Sequence, residues 1–381
     1  MTKKCLVYAM SPISFIAALS AVETLRGSDR VSVYVLVEWP GSSQITEELA
    51  EIIKLFSKEF SFIKKIVSKN MGTFGKIDFD EIYFPHDLIE DTSESLFERY
   101  PRAKRICCGD SFGLVYTKEF FFRLLESPVR NKNLIQILKI KIYKILERTK
   151  DGPSKRIYET HQATLVLPID QSGSYFKKVP LTVCPKKIVI DIVNKCSKSC
   201  QGLENYIGKI LMPYDQKKIY VLLTENFAEA NLISLEKEIE MYCFIIRKYC
   251  QPNDILFLKP HHGETLPRGQ KIIARLSDYR IFELKKNFIK YPIEIWQGLL
   301  DNALIISAGY PVLSLKYLYN IDVIQPMDKT LIKNWFPERP QVYLKDAINI
   351  YNESLKRLNH WNGRTPLYVK KYTYNKFWFK K

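Results

Sequence analysis

The chain has 381 residues, 46% hydrophobic and 13% aromatic, which is enough to build cores and excludes wholesale disorder. Its 58 Lys and Arg against 41 Asp and Glu leave a formal charge of +17, so an anionic partner is expected: nucleic acid, an anionic membrane face or an acidic polymer. The length predicts two domains, and only 15 glycines exclude collagen-like and glycine-linker architectures.

The N-terminal part alternates strand and helix patterns. Short apolar or β-branched runs predict strands at Cys5–Met10, Val31–Val37, Glu81–Phe84 and Arg105–Cys108. Helical patterns lie between them at Ile13–Leu25, Ile45–Phe60 and Asp87–Tyr100. Ser11-Pro12 splits the first apolar stretch into a strand and a helix, with Ser11 as N-cap and Pro12 in the first turn, which argues against a signal peptide. Residues 124 to 215 read as irregular and lysine-rich. The alternation then restarts with strands at Ile219–Leu223, Ile255–Leu258, Ala303–Ser307 and Ile321–Ile324, and a helix over Ala228–Tyr249. Apolar runs of this length fit buried parallel strands joined by helices, so two doubly wound α/β domains facing a cleft are expected. The expected bounds are 1–210, with a basic insertion near 125–180, then 211–340, then a helix and basic aromatic tail over 341–381. No run of about 18 apolar residues predicts a membrane span.

Several motifs are absent or weak. There is no G-x-x-x-x-G-K-[ST] loop, and no G-x-G-x-x-G follows a strand. Eight dilute cysteines with no Cys-x-x-Cys pair read as buried free thiols in a reducing compartment. Asp78-Phe79-Asp80 reads as a solvated lead-in to a strand rather than a metal-binding triplet. His86-Asp87 reads as a helix start, and His161 and His360 have no identified partners.

In such folds ligands sit beyond the strand C-termini, so the residues just after each strand carry the information. Arg105–Cys108 runs into Gly109-Asp110-Ser111-Phe112-Gly113. Asp110 is either a cap for the next helix or a carboxylate pointing into the cleft. Ile255–Leu258 runs into Lys259-Pro260-His261-His262-Gly263-Glu264. Lys259 can neutralise a phosphate, and a histidine can hydrogen-bond it or protonate it. Two adjacent histidines on a strand point to opposite faces and make a poor chelate. Glu294, in a first helical turn, is placed to accept two ribose hydroxyls. Ser307-Ala308-Gly309, between a strand and a helix, is an anion cradle suited to a phosphate.

That order of elements resembles the bacterial sialyltransferase and polysialyltransferase families of GT-B fold. Lys259-Pro260-His261 matches their second signature, with His262 where proline is usual. Leu222–Glu229 and the strand-Ser11-Pro12-helix start are similar as well. The first signature departs: Gly109-Asp110-Ser111 has one acid in place of two, and Ser111 replaces glycine. Ser307-Ala308 keeps the first of two serines. The resemblance covers residues 1 to about 325, poorly from 125 to 215. It implies an inverting transferase that moves sialic acid or another nonulosonic acid from a CMP-activated donor to a glycan. Asp110 and His261 would be catalytic. Lys259, Pro260, His262, Glu294, Ser307, Ala308 and Gly309 would hold the donor, and no metal is expected. Kdo or legionaminic acid as the donor sugar is an alternative.

The charge has two further outlets. Arg130 to Lys150 holds seven Lys or Arg and one Glu among Ile and Leu, and reads as a basic amphipathic helix. Lys139, Lys141 and Lys144 on it are candidate contacts to an anionic glycan or glycolipid acceptor, with Arg156, Lys177 and Lys178 extending the patch. The tail PLYVKKYTYNKFWFKK has five lysines, six aromatics and no acid. Both segments suit docking on an anionic leaflet, so a cytoplasmic enzyme, peripheral on the inner membrane face, is expected. A non-catalytic nucleic-acid-binding protein is the alternative of another class, and only the tail shows its pattern of basic and stacking residues.

Overall fold

A computed structural model describes residues 2–39, 42–68, 74–85, 93–109, 138, 160–170, 180–214, 217–309, 311–359 and 367–368. Two all-parallel sheets organise them. The first contains β1 (Lys3–Ala9), β2 (Val31–Val37), β3 (Ile63–Ser68), β4 (Glu81–Phe84), β5 (Lys104–Cys107), β6 (Gln162–Leu165) and, after a short β7 (Ile169–Asp170), β8 (Leu181–Val183). Its order is β3-β2-β1-β4-β5-β6-β8. The second contains β9 (Ile219–Leu223), β10 (Ile255–Lys259), β11 (Arg280–Glu283), β12 (Leu304–Ser307) and β13 (Val323–Ile324), in the order β11-β10-β9-β12-β13. Each sheet grows outward from its first strand and then reverses, the doubly wound topology expected from the sequence. The switch points lie between β1 and β4 and between β9 and β12.

The central strands form where the sequence is continuously apolar, because helices cover both faces. β4, β9 and β10 are buried at every residue. Helix α1 (Pro12–Arg26) is sealed between the first sheet and the helix Lys186–Ser199, with ten buried residues. One hydrophobic cluster runs through both halves, from Val7 and Phe15 to Leu222, Trp296 and Ile306.

The stretch expected to be irregular is a correction. It supplies β6, β8 and the helices Lys186–Ser199 and Gln201–Leu211. In the first helix Val189, Ile192, Val193 and Cys196 are buried at helical spacing, while lysines fill the other face. β3 and β11 were also not anticipated. Both are edge strands with charged, exposed residues, Lys64 and Lys65 in one and Arg280 and Glu283 in the other. The helix expected from Ala228 begins at Leu235, capped by the Ser234 hydroxyl. The C-terminal helix Glu338–Asn359 packs on the helices Pro311–Tyr319 and Lys329–Trp335. Beyond it β14 (Leu367–Tyr368) pairs in parallel with β7, which ties the end of the chain back to the first half.

Candidate functional site

The C-terminal ends of both sheets face one cavity of about 160 Å³. Ser11, Pro12 and Ile13 reach it from the end of β1, and Leu223, Thr224 and Glu225 from the end of β9. Both are strands at which the order reverses, so the cavity lies where a doubly wound sheet binds its ligands. The α1 end is held in a fixed shape. Ser11 Oγ accepts the Ser14 N–H at 3.1 Å, while Ser14 Oγ accepts the Ser11 N–H at 2.9 Å. From the other half, Pro311 and Ser314 bring the start of a second helix to the same wall.

Lys259, Pro260, His261 and His262 all line this cavity, as does Glu294. Lys259 is buried and donates to the Ile289 carbonyl at 2.6 Å. Burial pulls its ammonium down to about 8, and the Glu294 carboxylate partly offsets that. Glu294 is pushed up by the same burial, although Ser314 Oγ donates to its Oε1 at 2.5 Å. The two histidine rings lie 4.1 Å apart between centroids, tilted at 34°. Burial, then the charges of His262, Lys259 and Arg268, holds His261 well below the usual histidine value. His262 is lowered to about 4 by burial and by Lys259. His261 Nδ1 accepts the Gly263 N–H at 3.1 Å, which assigns the neutral ring's proton to Nε2. The His262 ring meets Trp39, from the end of β2, edge-on at 5.1 Å. His262 Nε2 is buried with no hydrogen-bond partner among the described residues.

A carboxylate cluster around Arg268 shapes these loops and was not seen in the sequence. Arg268 is fully buried and pairs with Glu229 at 2.6 Å, Glu238 at 2.9 Å and Glu264. Glu238 accepts the N–H groups of Phe227 and Ala228, and Glu229 accepts those of Thr265 and Leu266. One guanidinium therefore fixes both the loop after β9 and the loop that carries the histidines. Glu225 sits in the first of these loops. Burial, reinforced by Glu238 and opposed by Arg268, raises its carboxyl to about 7. Its sequence signals were its place just past a strand end and its position inside the Leu222–Glu229 stretch.

The remaining expected residues fall as follows. Gly109, after β5, has φ +76°, a conformation that favours glycine. β5 lies between β4 and β6 with the same direction as β1, so Gly109 leaves the sheet on the cavity side. Asp110 lies outside the described residues, as do Lys139, Lys141, Lys144, Arg156, Lys177, Lys178, His86, Asp87 and His360. Ser307 Oγ is buried and accepts the Gly309 N–H at 3.2 Å, so this hydroxyl is turned into its own loop. Ala308 accepts from Gln325. Asp80 accepts the Lys4 N–H at 2.8 Å on the sheet edge opposite the cavity, in keeping with a structural role. His161 accepts the Arg105 N–H through Nδ1. Among the described residues no three His, Cys, Asp or Glu side chains converge as a metal site, and no helix is long and apolar enough to cross a membrane.

No protein-family model and no curated protein matches the chain. Among solved structures, the UDP complex of MnaA from S. aureus superposes over 94% of this chain and 90% of its own, at 11% identity and a TM-score of 0.50. The fold is GT-B. Other GT-B matches are weaker. UDP-GlcNAc 2-epimerase from Neisseria meningitidis, bound to UDP-GlcNAc, covers 93% of this chain and 94% of its own at 12% identity and TM-score 0.49. The GT-B domain of a sialyltransferase from Photobacterium damselae covers 91% and 97% at 10% identity and TM-score 0.42. Identities this low speak for the GT-B frame alone, because one fold hosts many chemistries.

Proposed function

We propose that the protein is an inverting glycosyltransferase that moves sialic acid, or a related nonulosonic acid, from its CMP-activated donor to a glycan. The observation that carries this reading is the convergence of Lys259, His261, His262 and Glu294 on one cavity at both switch points. The donor's anomeric carbon ionises with CMP leaving, so negative charge grows on a phosphate. Lys259 offsets that charge, and neutral His261 donates a hydrogen bond from Nε2. Glu294 takes the ribose hydroxyls. Asp110, next in sequence after Gly109, takes the acceptor hydroxyl proton. Lys259 supplies the charge, and His261 the hydrogen bond, that a metal would otherwise bring. The lysines at 139, 141 and 144 hold an anionic acceptor, and that contact weakens with salt.

The test is incubation with CMP-sialic acid and a panel of neutral and sialylated oligosaccharides, with and without EDTA, read by product mass. Addition of one or more sialyl units in both conditions is the expected result. CMP-Kdo and CMP-legionaminic acid, run in parallel, identify the donor sugar. A second reading, an enzyme of UDP-activated sugars, rests on the UDP held by the MnaA structure of the same fold. Turnover of a UDP-sugar, with every CMP-sugar untouched, would replace the first reading with the second.

A further inference from the structure

Glu225 stands apart from the other acids of its neighbourhood. Arg268 holds Glu229, Glu238 and Glu264 in ion pairs. The Glu225 backbone N–H is taken by the Tyr242 hydroxyl at 2.7 Å, but among the described residues its carboxylate has neither an ion pair nor a hydrogen bond. It lines the cavity and presses against the turn after β12, so closely that a Cβ at position 309 would collide with its Oε1. That turn sits at the switch point of the second sheet, before the nine-residue helix Pro311–Tyr319, where such folds bind anions.

We propose that Glu225 is a proton-coupled determinant of phosphate binding in this cavity: its carboxyl stands between the cavity and the Ser307–Gly309 turn and admits a phosphate beside that turn only after taking up a proton, which it then donates in a hydrogen bond. The inference rests on the nucleotide-sugar reading of the site. Two anions brought into contact cannot both stay charged without a cation between them. The groups that face Glu225 do not supply one at the turn. Glu238 and Tyr242 come from the helix Leu235–Tyr249, and Arg268, from the next helix, is already engaged by three carboxylates. Lys259, His261 and His262 line the cavity from β10 and its loop, with Glu264 beyond them in the same loop and Glu294 beside Ser314. Lys259 donates to Ile289 instead. Burial sets the Glu225 carboxyl near 7, so the acid form is accessible at neutral pH and is lost as pH rises above that value. Phosphate affinity is therefore highest below pH 7 and declines above it.

The test is CMP binding by calorimetry from pH 7 to 8.5, where the CMP phosphate is already dianionic, for the wild type and Glu225→Gln. Lys259 loses charge in the same range, so the comparison between the two proteins, and not the wild-type slope, reads Glu225. The ratio of wild-type to variant Kd is expected to grow by about tenfold across the window, as one linked proton requires. Glu225→Ala, whose thermal unfolding is compared with that of the wild type, is expected to remove the same pH dependence. Cytidine, which has no phosphate, is expected to bind both proteins with a constant ratio. A constant ratio for CMP overturns the role of Glu225 and leaves the nucleotide site standing. If no protein binds CMP or UMP at any pH, the nucleotide reading falls and this inference with it.

Discussion

Burial pushes Lys259 and Glu294 towards their neutral forms, yet each carries a contact that keeps it oriented: Lys259 to the Ile289 carbonyl and Glu294 to the Ser314 hydroxyl. A phosphate arriving beside Lys259 restores its full charge, so the site strengthens as negative charge develops. His261 is different. Its neutral ring, with the Gly263 N–H on Nδ1, is a hydrogen-bond donor rather than a stored proton. In the proposed reaction the acceptor proton then falls to Asp110. Asp110→Asn is expected to lower turnover by about 10²–10⁴-fold, the usual contribution of a general base, with the Kd for CMP unchanged. Wild-type turnover in that variant rules out the assignment. That Lys259, His261 and Glu294 line the cavity was legible, because each lies at a strand end or opens a helical turn. Glu225 was not, because its neighbour Gly309 is 84 positions away and only the fold brings them together.

At the level of elements, the loops after β9 and β10 are held by a buried charge cluster rather than by regular structure. Arg268 satisfies three carboxylates, and those carboxylates in turn satisfy four backbone N–H groups of the two loops. Removing the guanidinium leaves buried acids without a counter-charge. Arg268→Met is expected to cost about 3–5 kcal/mol in urea unfolding at pH 7.5, and less near pH 5, where the carboxyls take up protons. The reason is that burial raises Glu238 to about 7, so its unpaired charge is a penalty only when it is ionised. An unfolding midpoint equal to that of the wild type at both pH values would show the cluster to be dispensable. The same cluster ties the segment before the helix to it: residues 227 and 228 donate to Glu238, and the helix itself starts at Leu235 after the Ser234 cap. Of the strands missed in the sequence, β3 and β11 are sheet edges where exposed charge interrupts the apolar pattern, whereas β6 lies inside the first sheet and β8 is a three-residue edge without charge.

For the whole molecule, the cavity depends on how the two halves meet. Trp39 packs on His262, Phe56 on Tyr291, Glu48 pairs with Lys290, and Ser197 Oγ donates to the Ile295 carbonyl at 3.1 Å. These contacts join residues 98 to 242 positions apart, and His262, Lys290 and Tyr291 among them line the cavity. The eight cysteines report on the same packing. All are buried and none is in a disulfide, and burial raises Cys108 and Cys196 far above the ordinary thiol value and Cys5, Cys184 and Cys250 to about 12. Since the thiolate is the reactive form, the folded protein is expected to react negligibly with a thiol reagent at pH 8, and all eight thiols to react once it is unfolded in guanidinium. Rapid reaction of one thiol in the folded protein would identify a breach in that packing.

The sequence by itself determined the α/β class, the central strands of both sheets and which residues the end of β10 brings to the cavity, because apolar runs and strand-end residues are local patterns. Only the tertiary structure decided the edge strands, the start of the helix at Leu235, the Arg268 cluster and the approach of Glu225 to Gly309. Each of those depends on burial or on charges from distant segments, and neither quantity is written in neighbouring residues.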